Sequence, residues 1–312
     1  MAKVYDCFPF FNELDVLEIR LNELDPVVDH FVLCEATVTH RGQPKPLVFQ
    51  ENRERFARFL PKIIHVVVDD MPQGKFREAD FWVKEKFQRT ALMRGLTSAR
   101  DEDFVILSDL DEIPSAKSVA AGIARNDRSV TVFDLVYCCF FVNLINSRIW
   151  QRARMARFGD IRSLQMLRSG GPQWRPEPNQ RGLWRRIRHL RRTMLATRLP
   201  RSWVIIEDAG WHFTSLNGLA AVYEKFNSYA HVRDDVSELG LARRILQLLE
   251  GKGEDGAHLV PFDERFPDYL RANRERFKHL IADENTVVEF RQTIERLEKQ
   301  QAAASLNPYA KQ

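Results

Sequence analysis

The sequence contains no run of about 18 consecutive apolar residues, so nothing in it reads as a bilayer-spanning helix. Its opening, MAKVYDCFPFF, also lacks a basic segment followed by an apolar one, as a secretory leader would require. The expectation is a cytoplasmic protein. Cysteine is scarce: Cys7, Cys34, Cys138 and Cys139 lie inside hydrophobic runs, two of them adjacent, which predicts reduced, buried thiols and no disulfide framework or zinc site. No internal repeat is visible. Acidic residues are missing from one stretch, where nine arginines and the single acid Glu177 occupy residues 175 to 201. The rest is ordinary for a soluble globular chain, with 44% hydrophobic and 29% charged residues and a net charge of +4. Its 312 residues can bury one large α/β domain, or one domain with a helical lobe.

Over the first 140 residues, apolar runs alternate with helical patterns. Strands are predicted near residues 3–8, 27–36, 62–70 and 103–109. A helix is predicted over NELDVLEIRLNEL, with Asn12 as its cap and Leu14, Leu17, Leu21 and Leu24 on one face. Residues 79–96 form a further predicted helix, and SVTVFDLVYCCFF a fifth strand. Strands that are apolar throughout and alternate with helices imply a mostly parallel sheet covered on both faces, with ligands beyond the carboxyl ends of its strands. Glu35, Asp69, Asp70, Asp109 and Asp111 all fall at such ends. Residues 146–202, rich in Arg, Gly, Pro and Trp, read as a basic insertion with one or two short helices. SWVIIEDAGWHF restores a strand and turn, and the pattern is helical from about 217. The expected division is a nucleotide-binding α/β part (1–145), the insertion (146–202) and a completing part with C-terminal helices (203–312).

The strand DFVILSD delivers Asp109, Asp111 and Glu112 to one point, just before Pro114. Hard divalent cations take oxygen ligands and use one or two carboxylates together with substrate phosphates, so this D-x-D suits a metal that holds a diphosphate. Three crowded carboxylates otherwise repel one another. A structural role is open beside this one: Asp109 and Asp111 can cap a helix starting near Ser115.

Taken together, FPFFNELDVLEIRLNELDPVVDHFVLCEATVTHRGQPKPLVF, EKFQRTALMRGL, DFVILSDLDEIPS and AGWHFTSLNG resemble the family 17 glycosyltransferases, over roughly residues 4–145 and 205–232. The resemblance implies a glycosyltransferase A-type fold, a nucleotide-sugar donor (UDP-GlcNAc), inversion at the anomeric carbon and Mn²⁺ or Mg²⁺ on Asp109 and Asp111. His212, in GWHF, is a further candidate metal ligand, against the plainer role of a packed histidine. Inverting transfer needs a general base for the acceptor hydroxyl; Asp208 or its neighbour Glu207 is the candidate, against a capping or ion-paired acid. Glu35, Gln88, Arg89 and Glu112 are candidate donor contacts, with a helical Glu85–Arg89 salt bridge as the structural alternative for Arg89. Lys225 and His231 are further donor candidates, for which a solvated helix face is the alternative. Animal members of the family are membrane-anchored and no anchor is visible here, so their acceptor does not carry over.

Residues 181–201 place Leu183, Trp184, Ile187, Leu190 and Met194 at near-helical spacing among arginines, the pattern of a helix lying on an anionic membrane. That pattern suits a saccharide acceptor linked to lipid, at the inner face of a membrane; a flexible lid is the alternative. Two other classes compete with glycosyl transfer. Haloacid-dehalogenase-like phosphatases also put D-x-D after a strand, but on the first strand and with a downstream G-D-x-x-x-D that is missing here. Nucleic-acid binding through the arginines lacks any accompanying motif, and no nucleic-acid partner is expected.

Overall fold

The structure, a computed structural model, describes residues 2–73, 81–171, 183–199, 201–216, 218–220, 222–223, 237–253 and 256–306. The chain forms two compact units, Met1–Val136 with Ile149–His212, and Tyr137–Arg148 with Phe213–Gln312.

In the first unit, β1 (Val4–Phe10), β2 (His30–Ala36), β3 (Ile63–Val68) and β4 (Phe104–Leu107) run parallel, joined by α1 (Leu14–Leu24), α2 (Val48–Glu51) and α3 (Phe81–Ala91). Phe104 to Leu107 are all buried, as expected of strands covered on both faces. Beyond β4 come the short β5 (Glu112–Pro114), α4 (Ala116–Ala124) and β6 (Val130–Phe133). The sheet continues with β9 (Arg154–Arg157) and β10 (Trp203–Ile206), giving the order β10-β6-β9-β4-β1-β2-β3. Only β9 is antiparallel to its neighbours, β4 and β6. Strand order and sense are those of the Rossmann-like, glycosyltransferase A-type α/β architecture that the sequence led us to expect.

Three local expectations change. Asn12 does not cap α1: Glu13 occupies the cap position and makes no side-chain cap bond. The run read as a fifth strand divides into β6 and β7 (Leu135–Cys139), because the chain breaks at Asp134. The segment read as an insertion supplies β9 to the middle of the sheet, as well as α5 (Leu164–Ser169) and α6 (Leu183–Ala196). β9 is masked in the sequence by its composition, RMAR. Arg154 is nevertheless buried, because its guanidinium donates to the carbonyls of Gln151 (2.7 Å), Ala153 (3.1 Å) and Gly170 (3.2 Å).

One buried ion pair ties the sheet to the loop that follows β4. Arg20 on α1 and Asp6 on β1 are both fully buried and joined by two hydrogen bonds of 2.8 and 2.6 Å. The same guanidinium donates to Ser108 Oγ (2.6 Å) and to the carbonyls of Asp109 (3.0 Å), Leu110 (3.1 Å) and Glu112 (2.8 Å). A buried charge is tolerated when paired and fully hydrogen-bonded. Here that requirement fixes the path of the D-x-D backbone.

In the second unit, β8 (Leu144–Trp150) pairs with β12 (His258–Leu259) through Leu144 and Ile145. Its core gathers Phe141, Leu144, Leu241, Ile245 and Leu248, the last three from α7 (Glu238–Leu249). The buried Asn143 side chain bonds to the Val260 and Ala282 carbonyls and accepts from the Ala282 amide. The C-terminal helices expected are α7, α8 (Asp268–Ala272) and α9 (Glu284–Leu306), although YLRANRERFKHLI is helical only in its first residues and in a 3-10 turn at Lys278–Leu280.

Replacing Arg20 with Met leaves Asp6 buried without its cation. The expected loss is about 3–5 kcal/mol in urea unfolding, and Arg20→Met with Asp6→Leu recovers only part of it, because Ser108 and the three loop carbonyls still lack their donor. A single variant as stable as wild type would show that the pair constrains nothing.

Candidate functional site

Asp109, Leu110 and Asp111 lie immediately past β4, where the expected binding rim of the sheet falls. The cap alternative does not hold, because α4 is capped by Ser115, whose Oγ accepts from the Ser118 amide. The aspartates are therefore available to other partners.

β11 (Gly210–Thr214) brings the second half of the site. It pairs antiparallel with β5, placing His212 opposite Glu112 and Gly210 opposite Pro114. The approach requires glycine: Gly210 has φ +142°, and a Cβ there would lie 2.2 Å from the Ile113 carbonyl oxygen. His212 Nε2 thereby comes 3.5 Å from Asp111 Oδ1. The Trp150 ring stacks on His212 at 4.4 Å and 24°, and its Nε1 donates to Glu112 Oε1 (2.5 Å).

Asp109 and Glu112 are held by arginine. Arg168 on α5 forks onto Glu112, Nη1 to Oε2 and Nη2 to Oε1 at 2.6 Å each, and Nη2 also reaches Asp109 Oδ2 at 2.5 Å. Arg89 on α3 bonds Asp109 Oδ1 (3.0 Å), Glu85 (2.8 Å) and Gln165 (3.0 Å). The Glu85–Arg89 bridge expected as the structural alternative is thus present, and the same guanidinium extends to the D-x-D. Desolvation alone would raise the Asp109 pKa; the guanidinium of Arg168, then that of Arg89, outweighs it and holds the carboxyl well below the usual range. Asp109 and Asp111 are both present at the rim, but they meet different partners.

The other candidates are spread more widely. Glu35 is fully buried at the end of β2; Oε1 accepts from the Phe49 amide (3.1 Å) and Lys45 (3.4 Å), and Oε2 meets His65 (3.2 Å). Gln88 bonds the Cys34 carbonyl (3.2 Å) and His40 (3.1 Å). Asp69 and Asp70 are exposed, and Asp70 forms a surface pair with Arg94. Glu207 and Asp208 are exposed in the turn between β10 and β11, with Asp208 at φ +48°, a conformation that aspartate tolerates better than most residues. This turn adjoins the site: the Ser115 amide donates to the Ala209 carbonyl, and the Ala209 amide to that of Asp134. Lys225 and His231 lie outside the described residues.

Four contributors were not singled out in the sequence: Arg20, Arg168, Trp150 and Asp134. Burial raises the Asp134 pKa; a hydrogen bond from Gln151 opposes this, and the charges of Asp208 and Glu207 add to it. Only the position of Asp134 at the end of β6 could have flagged it. Arg168 sits in a six-residue helix with no motif, and Trp150 in a segment with no recognised pattern.

A divalent cation fits Asp111 and His212 by donor chemistry, since carboxylate oxygen with one imidazole suits Mn²⁺. Among the described residues no group of three or more His, Cys, Asp and Glu side chains is poised as a metal cage. A cation here would therefore take two protein ligands and complete its shell from phosphate and water, the usual habit of ions that serve diphosphates.

Residues 1–155 match the model of glycosyltransferase family 17, as the motifs implied. The chain is 34% identical over 123 residues to the β-1,4-mannosyl-glycoprotein 4-β-N-acetylglucosaminyltransferase of Rattus norvegicus, covering 38% of this chain and 22% of that protein. It is 36% identical over 114 residues to the enzyme of the same name from Homo sapiens, covering 35% and 21%. The chain thus spans about a fifth of the length of the curated relatives it matches. Among solved structures, the mannosyltransferase of Pyrobaculum calidifontis in complex with GDP-Man and Mn²⁺ aligns at TM-score 0.39 and 11% identity, covering 99% of this chain and 81% of that one.

The depressed pKa of Asp109 has a stability signature. Its folded-state value lies below the unfolded one, so the stabilisation is present at neutral pH and drains away as pH falls from about 5 toward 1. The gap in urea midpoint between wild type and Asp109→Asn is expected to narrow between pH 7 and pH 3. An unchanged gap would contradict the ion-pair account.

Proposed function

We propose that this chain, whose residues 1–155 carry the family 17 sequence, is an inverting glycosyltransferase that takes a sugar from a nucleotide diphosphate donor, UDP-GlcNAc by the implication of the family. The observation that carries this reading is the juxtaposition of Asp111, in the loop after β4 that Arg20 pins, with His212 on β11. Asp111 and His212 would hold Mn²⁺ or Mg²⁺, which when bound neutralises charge on the leaving diphosphate. Arg89 and Arg168 keep Asp109 ionised and oriented. Asp208, with Glu207 beside it, remains the proposed base, and the charges of both acids add to the burial that raises the pKa of neighbouring Asp134. Glu35, Gln88, Arg89 and Glu112 stand as proposed donor-side residues. The phosphatase alternative needs Asp109 as a nucleophile, yet both of its carboxylate oxygens are engaged by guanidinium groups.

The acceptor is proposed to be a saccharide, carried on lipid or glycan, reached from the inner face of a membrane. Support comes from α6, which turns its apolar side outward: Ile187, Leu190 and Met194 are 46%, 61% and 63% exposed, on one stripe. Its other side carries Ala196, fully buried, and His189 and Thr193, which bond to Gly171. An exposed apolar stripe flanked by arginines is the arrangement that lies on anionic lipid. No helix among the described residues is long and apolar enough to cross a membrane.

Calorimetry with UDP and a panel of nucleotide sugars tests the central reading. Mn²⁺-dependent binding of UDP is expected, weakened by about tenfold or more in Asp111→Asn. Equal binding by wild type and variant, with or without Mn²⁺, would remove the mechanism. Sedimentation with phosphatidylglycerol vesicles tests the second. Wild type is expected to co-sediment at low salt and Leu190→Glu with Met194→Glu to stay in solution, its UDP binding unchanged. Absence of wild-type binding would discard the membrane role.

A further inference from the structure

All four carboxylate oxygens of Asp109 and Glu112 already have donors. Asp109 Oδ1 faces Arg89, and Oδ2 faces Arg168. Glu112 Oε2 accepts from Arg168 and from the Asp109 amide (2.9 Å), and Oε1 from Arg168 and Trp150. Glu112 is fully buried, and the Arg168 side chain is 9% exposed. A two-pronged guanidinium on a buried carboxylate is among the strongest charge-assisted contacts available to a protein.

Arg168 is also held from behind. Ser163 caps α5 through the Met166 amide, the Gly170 carbonyl that follows α5 accepts from Arg154, and Gly171 is tied to His189 and Thr193 of α6. Swinging Arg168 away to admit a cation at Asp109 would strand its buried charge. Asp111 is in a different position, on the His212 side of the loop.

We infer that Arg168 is a positioning residue that withholds Asp109 and Glu112 from metal coordination and leaves Asp111, with His212, to face the cation. This rests on the metal-dependent reading given above. In effect the loop holds two cation places: a permanent one filled by a side chain from α5, and an exchangeable one completed by β11. Division of this kind keeps three crowded carboxylates from binding an ion too tightly to release it with the nucleotide product.

The test is Mn²⁺ binding to the full chain, followed by the electron paramagnetic resonance signal of the free ion, with and without UDP, and with circular dichroism melts to confirm folding. Arg168→Gln is expected to bind Mn²⁺ about tenfold more tightly than wild type, because two carboxylates lose their guanidinium; Arg168→Lys, which keeps the charge, falls between. Asp111→Asn is expected to lose about tenfold or more, and Asp109→Asn to stay within about threefold of wild type. A folded Asp109→Asn that loses as much as Asp111→Asn, or a folded Arg168→Gln with unchanged affinity, overturns the inference. Wild type that binds no Mn²⁺ even with UDP contradicts the metal reading instead. Arg168→Gln then decides the clamp separately: it acquires a Mn²⁺ site if Arg168 withholds the carboxylates and acquires none if it does not.

Discussion

The Arg20–Asp6 pair is the constraint on which the site depends. A charge removed from water must find a full complement of partners, and Arg20 finds them in Asp6, Ser108 and the carbonyls of Asp109, Leu110 and Glu112. Carbonyls committed to a rigid guanidinium cannot wander, so the side chains of Asp109, Asp111 and Glu112 leave the loop in set directions. The buried strand answers a mechanical need: it supplies a fixed end from which a polar loop can be hung.

From that fixed loop, charge is divided by geometry. Asp109 and Glu112 meet arginines from α3 and α5, while Asp111 meets His212 from β11. Burial would press each acid toward its neutral form, and nearby opposite charge presses back. For Asp109 the guanidinium groups prevail. For Asp134, with two acids nearby and no arginine among its causes of shift, burial prevails and the pKa rises. One unit thus contains two acids whose surroundings push their pKa values in opposite directions, Asp109 down and Asp134 up.

The legible parts of the sequence were those whose physics is local. An apolar run ending in acids marks a buried strand and its rim, and β2 to β4 follow that rule. The D-x-D was legible for the same reason, and His212 through its resemblance to known relatives. What stayed hidden depends on partners far away in the chain. Arg20 sits between Ile19 and Leu21 on a helix and acquires meaning only from Asp6 and from residues 108–112. Arg168 and Trp150 act on Glu112 across 56 and 38 residues. β9 was concealed because two arginines in RMAR imitate a solvated loop, although Arg154 is buried and its terminal nitrogens donate to three backbone carbonyls.

The most direct measurement is a crystal structure grown with Mn²⁺ and UDP, in which anomalous scattering locates the ion independently of any chemical assumption. The account predicts one anomalous peak between Asp111 and His212, with a diphosphate beside it and Arg168 still forked onto Glu112. A peak between Asp109 and Glu112 with Arg168 displaced, or nucleotide bound elsewhere on the sheet with no ion at Asp111, would contradict it.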